Sequence, residues 1–311
     1  MRKLRMVTES GVTLKEGCDK YLDNCRIRNL RLHTIRHYEQ SYLKLFSFFD
    51  KDMPLKNFTS TSYHSYLKWL QDTLTNDITI NAYLRDLITT IHFLQKEEYV
   101  ENFKMQTIKV DKHNIETYTE EELQLLLKKP NIKKCNFTEY SCWVICNFLL
   151  CTGVRQRSLM NIRVKDVDLY NNVVNIHHTK NRKPLLVPIN STMANILKEY
   201  LKYRQAKDDD DWLFCNSFGN QLTKSTSYHM LYDYNKRRGV AKTGVHRWRH
   251  TMAKQWILNK GSITTLSRLM GHSGLDITEN YVNLLVSDLA KDVNEIDLLG
   301  KFAEKKSIRM R

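Results

Sequence analysis

Ile35, Tyr38, Tyr42, Leu45, Phe46 and Phe49 recur along the chain at intervals of three, four and one. Such a set lies on one face only when the chain is an α-helix, so the stripe commits this segment to a helix with one buried side. The pattern extends from Val12 to about Phe103. Thr13 stands where a first helix can be capped, and two further helical runs follow Pro54, around Tyr63 to Leu74 and Ile78 to Gln95. Together they predict a bundle of about four helices. Glycine and proline are scarce, 10 and 4 in 311 residues, and 41% of residues are apolar against 27% charged. That composition excludes collagen-like, mucin-like and largely disordered chains. A chain of this length is expected to form two domains, each with its own core.

From Met105 to Thr117 the stripe lapses and the charges are mixed, which marks a linker. A helix start follows. Thr119 and Glu122 have the spacing of a capping box, with Tyr118 and Leu123 placed for a hydrophobic staple before the apolar run to Leu127. A second domain begins here. Its next segment, Tyr140 to Cys151, reads as a buried helix closed by Gly153. VVNIHHT, KNRK and PLLVPI then read as strand, turn and strand. Asn190 or Ser191 can cap a helix running to Tyr203, the acidic run Asp208 to Asp211 reads as a solvated loop, and several helices follow. The predicted fold class is therefore mainly α with a small β-sheet in the second domain.

The longest mostly apolar stretch, Cys142 to Val154, includes Asn147 and falls short of the about 20 residues a membrane span needs. The first residues, MRKLRMVTES, are basic but lead into no apolar h-region, so no export signal is read and a cytoplasmic protein with no membrane partner is expected. Seven cysteines, an odd number without a CxxC pair, do not form a disulfide framework. Cys135, Cys142 and Cys146 raise the alternative of a zinc site, but no paired His/Cys knuckle completes it, and packing is the preferred reading. Up to Glu120 the chain has 18 basic and 16 acidic residues, leaving 31 basic and 18 acidic of the 49 and 34 for the remainder. Positive charge concentrated in the second domain points to a polyanion, most often nucleic acid. A solvated surface that only aids solubility is the alternative.

Four segments of the second domain carry reactive groups in a fixed order: CTGVRQRSL with Arg155, HTKNRK with Lys180, VHRWRH with His246 and Arg249, and LMGHSGLDITENYVN with His272 and Tyr281. In this order and at these separations they resemble the tyrosine recombinase (phage integrase) family, over about Thr119 to Tyr281. The resemblance implies an N-terminal helical core-binding domain over residues 1–104, a linker over 105–117, an integrase-like catalytic domain over 118–292 and a docking tail over 293–311. No arm-binding domain is read before the bundle, so the layout is similar to the compact two-domain members.

The resemblance assigns the roles, and elementary chemistry makes them intelligible. Attack on a phosphodiester builds negative charge on the nonbridging oxygens, which forked guanidiniums are suited to hold; Arg155 and Arg249 are the candidates. His246, three residues before Arg249 on a predicted helix, projects from a neighbouring position. Tyr281 is the nucleophile by resemblance. A phenol with a pKa of about 10 needs help in losing its proton, which His246 or His272 can give; the division between them is open. Lys180, on the turn between strands, resembles the lysine that protonates the departing 5′ oxygen, with Lys183 as the near competitor. No cofactor and no metal is implied, because bond energy is conserved in the covalent link.

Two positions depart from the family pattern. Arg157-Ser158 stands where the family commonly has Ser-Glu after its first catalytic arginine, so the carboxylate that would orient Arg155 is missing from its usual place. Trp248 replaces the usual Leu in the His-x-x-Arg motif, a change expected to affect packing alone. The function implied is site-specific breakage and rejoining of double-stranded DNA by integration, excision or resolution, as in mobile elements. Beyond Tyr281, Leu285, Leu289, Val293 and Ile296 form a terminal stripe. By family analogy it docks into a neighbouring subunit and supports a homotetramer on DNA. The last residues, Lys301 to Arg311, are basic, and an accessory DNA-bending protein is a further partner the resemblance allows. The competing readings are a DNA-binding regulatory or structural protein with an inactive fold, a type IB topoisomerase-like enzyme, and a metal-dependent nuclease that chelator would stop.

Overall fold

The computed structural model describes residues 11–110, 116–179, 182–272, 274 and 278. The chain divides into two compact units, Met1–Lys112 and His113–Arg311. Among the described residues it is mainly helical with one small sheet, as its sequence predicts. Among the described residues, no helix is long and apolar enough to cross a membrane.

The first unit holds α1 (Leu14–Ile27), α2 (Leu32–Phe46), α3 (Ser60–Thr73) and α4 (Asp77–Lys96). Thr13 caps α1 through a reciprocal box with Glu16, and Asn76 caps α4 by accepting from the amides of Ile78 and Thr79. Ile35, Tyr42 and Leu45 of the predicted stripe are buried, each burial contributing about 1.5–3 kcal/mol. Phe49 lies beyond the end of α2, because Phe48 and Phe49 turn back to donate their amides to the Leu45 carbonyl. Its ring still packs on the core, 5.5 Å from that of Phe58. The start of the predicted linker is pinned to this unit: Asn81 exchanges two hydrogen bonds with the backbone of Ile108, and Tyr63 donates to the Gln106 carbonyl.

The second unit is built around one helix. α5 (Glu120–Leu127) opens with the predicted box between Thr119 and Glu122, followed by α6 (Phe137–Thr152). Residues around the whole circumference of α6 are buried, from Tyr140 to Thr152, so other elements must surround it. Helices α8 (Ser191–Arg204), α9 (Lys224–Arg237) and α10 (Val245–Leu258) pack on it with α5. Asn190 caps α8, and the short α7 (Gln156–Leu159) and α11 (Ile263–Met270) are the other α-helices among the described residues of this unit. The sheet has three antiparallel strands in sequence order, β1 (Val167–Asp168), β2 (Val173–Ile176) and β3 (Leu185–Pro188), with Val174 opposite Val187. The hairpin from β2 to β3 is the predicted pair; β1, only two residues long, has no pattern to betray it.

Cys142 and Cys146 are buried in α6, and Cys142 donates its thiol to the Met230 carbonyl at 3.5 Å. Burial pushes the Cys142 thiol up to about 12 and that of Cys146 well above its ordinary value. Trp248 is fully buried, its ring 4.6 Å from that of Tyr118, consistent with a packing change. The acidic run is more than a solvated loop. The carbonyls of Asp209 and Asp211 accept from the amides of Lys165 and Val164, and the Asp210 carboxylate pairs with Lys165.

Candidate active site

The site begins where the central helix stops. α6 ends at Gly153, whose φ of +59° lies in the left-handed region that favours glycine, and a Cβ there would stand 3.2 Å from the Met252 sulfur. The chain turns sharply at this point, and Arg155 becomes the N-cap residue of α7. A rigid buried helix thus fixes where the first arginine emerges.

Arg249 projects from α10 and is 4% exposed. One of its terminal nitrogens donates to the Gly153 carbonyl, while the other donates to the Met270 carbonyl at 2.9 Å and meets His272 Nε2 at 2.7 Å. Arg155 donates to the carbonyls of Met270 and Gly271, each at 3.4 Å. Both guanidiniums therefore converge on the C-terminal end of α11. Its outward carbonyls carry the negative end of the helix dipole, which offsets part of the repulsion between two cations brought close together. Gly271 closes α11 with φ +60°, and the His272 amide returns to the Ser267 carbonyl.

The tautomer of His272 follows from these contacts. A guanidinium can only donate, so Nε2 is the acceptor, and Nδ1 carries the proton that it donates to Thr278 Oγ1 at 2.7 Å. The ring is neutral. Burial, reinforced by Arg249 and Arg155, holds its pKa down to about 4.

Arg155, Arg249 and His272 share a cleft of about 320 Å³ with Ser158, Thr179 and Lys183. His246 is exposed on α10 and lines a neighbouring depression with Gln156, Lys224 and His250. Desolvation, then Arg249, Arg155 and Lys224, lower its pKa, so this imidazole also favours the neutral form. The structure thus gathers two arginines and one histidine in the cleft and leaves the second histidine beside it. Lys180, Tyr281 and the stripe from Leu285 to Ile296 lie outside the described residues. Lys183 faces the cleft, and its carbonyl accepts from Thr179 Oγ1 at 2.6 Å across the turn.

Several participants escape sequence reasoning. The carbonyls of Met270 and Gly271 are backbone atoms, which no residue type reveals. Thr278 is recognisable only once His272 is placed. His250 is adjacent to Arg249, and burial with His246, Arg249 and Arg247 nearby lowers it to about 4; its place one helical turn after His246 is the signal that could have found it. Ser158 lies where the family's glutamate stands and donates to the His178 carbonyl at 2.8 Å.

The fold is that of the integrases. The chain is similar to the Tn1549 transposon integrase solved in complex with transposon right end DNA, with a TM-score of 0.71 at 19% identity over 85% of this chain and 94% of that one. It is also similar to the XerH site-specific recombinase bound to palindromic difH substrate, with a TM-score of 0.68 at 21% identity over 90% and 84%. The model of the phage integrase family matches residues 116–287, and the chain belongs to that family, the tyrosine recombinases. Among full-length relatives, tyrosine recombinase XerC of Staphylococcus aureus (strain JH9) is 26% identical over 282 residues, covering 88% of this chain and 93% of the relative.

Proposed function

We propose that the protein is a site-specific DNA recombinase that cuts and rejoins strands through a 3′-phosphotyrosine at Tyr281. The observation that carries the reading is the convergence of Arg155, Arg249 and a neutral His272 on one cleft beside the lysine turn. A scissile phosphate entering the cleft exchanges the carbonyl contacts of the two guanidiniums for its nonbridging oxygens. Those oxygens gain charge in the transition state, so the same hydrogen bonds strengthen as reaction proceeds. The Tyr281 phenol attacks phosphorus and loses its proton to a neutral imidazole, His246 or His272. As the bond from phosphorus to O5′ breaks, O5′ takes a proton from Lys180. Attack by the 5′ hydroxyl of a second duplex reverses the step, so strand rejoining requires no nucleotide cofactor.

Double-stranded DNA as the partner is supported by the excess of positive charge after Glu120 and by structural relatives solved with DNA. Exchange between two duplexes calls for four active sites, and the stripe from Leu285 to Ile296 is assigned to docking between subunits of a tetramer. The test is an SDS-resistant protein–DNA adduct on nicked suicide DNA from the flanks of the protein's own gene, with chelator present. Wild-type protein is expected to give the adduct and Tyr281→Phe none. Binding to a site without any adduct from wild type would instead support an inactive DNA-binding homologue.

A further inference from the structure

Among the described residues, the Ser158 side chain ties the end of β2, where the turn to β3 begins, to α7, the helix that Arg155 opens. Ser158 sits three residues after Arg155 on α7, is 7% exposed, and donates its hydroxyl to the carbonyl of His178 at 2.8 Å. His178 follows β2 by two residues and precedes Lys180 by two. Across the turn, Thr179 Oγ1 donates to the Lys183 carbonyl at 2.6 Å, and the Arg182 amide returns to the Thr179 carbonyl. On the outer side, His177 Nε2 stands 3.2 Å from the buried carboxylate of Asp166, which also accepts from the Arg163 amide. The base of the turn is therefore registered against α7 by Ser158 and against the segment before β1 by Asp166.

We infer that Ser158 is a positioning residue for the turn between β2 and β3, holding the segment that supplies the proton donor for O5′ in register with the arginine that holds the phosphate. The inference rests on the recombinase reading above. A glutamate, which the family commonly carries here, has no proton to give a backbone carbonyl when ionised, whereas a serine hydroxyl does. This chain thus couples Arg155 to the turn through the backbone of His178. Because a hydroxyl–carbonyl bond in a half-closed cleft has strict direction, its loss displaces the turn and separates the proton donor from the leaving oxygen.

The test uses the full-length chain on the suicide DNA above, with the leaving atom at the scissile phosphate either oxygen or sulfur. A 5′ thiol has a pKa near that of cysteine, about 8.5, so it leaves as a thiolate without taking a proton from the turn. Ser158→Ala is expected to slow adduct formation on the oxygen substrate by about 10²-fold, the scale of a misplaced reacting group, and to match wild type on the sulfur substrate. Ser158→Thr, which keeps the hydroxyl, is expected to restore the oxygen rate. Equal slowing on both substrates would assign Ser158 to Arg155 or to folding and overturn the proposal, as would an unchanged oxygen rate. If Ser158→Ala does not fold, Ser158→Cys, with a weak donor of similar size, is read on the same pair of substrates with the same expectation. Wild type giving no adduct on either substrate would overturn the recombinase reading itself, an outcome distinct from any failure specific to Ser158.

Discussion

Replacing Arg249 with lysine keeps the charge and removes the fork. In the structure the guanidinium spans three acceptors: the Gly153 carbonyl at the end of α6, the Met270 carbonyl at the end of α11, and His272 Nε2. An ammonium is a point donor and cannot reach both helix ends, so Arg249→Lys loses two of the three bonds. Hydrogen bonds from a charged donor contribute roughly 1.5–3 kcal/mol each. The cleft is open enough for water to rehydrate part of what is lost, which places the expected destabilisation at about 2–4 kcal/mol. Arg247 supplies the contrast, because its partner Glu116 is exposed and solvent screens the pair. Urea unfolding followed by tryptophan fluorescence reports on this region, since Trp143, Trp212, Trp248 and Trp256 all lie in the second unit. The expected result is a lowered midpoint with unchanged slope for Arg249→Lys and a small shift for Arg247→Lys. On suicide DNA, Arg249→Lys is also expected to slow adduct formation by about 10²–10³-fold, the scale of losing one preorganised donor. Equal destabilisation by the two substitutions, or less than about 1 kcal/mol from Arg249→Lys, would refute the bridging role.

Gly153→Ala forces a left-handed φ on a residue with a Cβ that stands 3.2 Å from the Met252 sulfur, and is expected to lose about 1–2 kcal/mol in the same unfolding assay; no loss would contradict the strained turn. His250 and His272 are held to about 4 in the folded protein against an ordinary value of 6.5. Between those values the unfolded chain binds protons that the folded chain refuses, so their contribution to stability is complete above pH 6.5 and is lost as pH falls toward 4. His250→Gln is expected to reduce the drop in melting temperature on moving from about pH 7 to about pH 5, and an unchanged drop would show that His250 does not titrate as its burial requires. Excess chelator is expected to leave strand cleavage and adduct formation intact, whereas cleavage that yields no adduct and stops with chelator would favour the metal-dependent nuclease reading.

What the chain reveals before folding depends on which atoms do the work. Helix starts at Thr13, Thr119 and Asn190 are legible because side chains make the caps. The end of α6 is legible because a left-handed turn selects glycine at 153. The hairpin from β2 to β3 shows in its β-branched and leucine-rich arms, while β1 is too short to carry any period. In the site, Arg155, Arg249 and His272 are legible by family resemblance. The reason they meet is not, since it lies in the carbonyls of Gly153, Met270 and Gly271. Ser158 illustrates the same limit from the other side: it reads as a missing carboxylate, and its hydrogen bond to His178 becomes visible only when α7 and the end of β2 are brought together.

The central claim is that Tyr281 becomes joined to a DNA 3′ phosphate, and the most direct measurement is the chemical identity of that link. Nuclease trimming of the suicide adduct, followed by peptide mass spectrometry, is expected to find the phosphonucleotide mass on Tyr281, with a free 5′ hydroxyl on the released strand. A phosphonucleotide on a different residue, or cleaved DNA with no protein attached, would contradict the account.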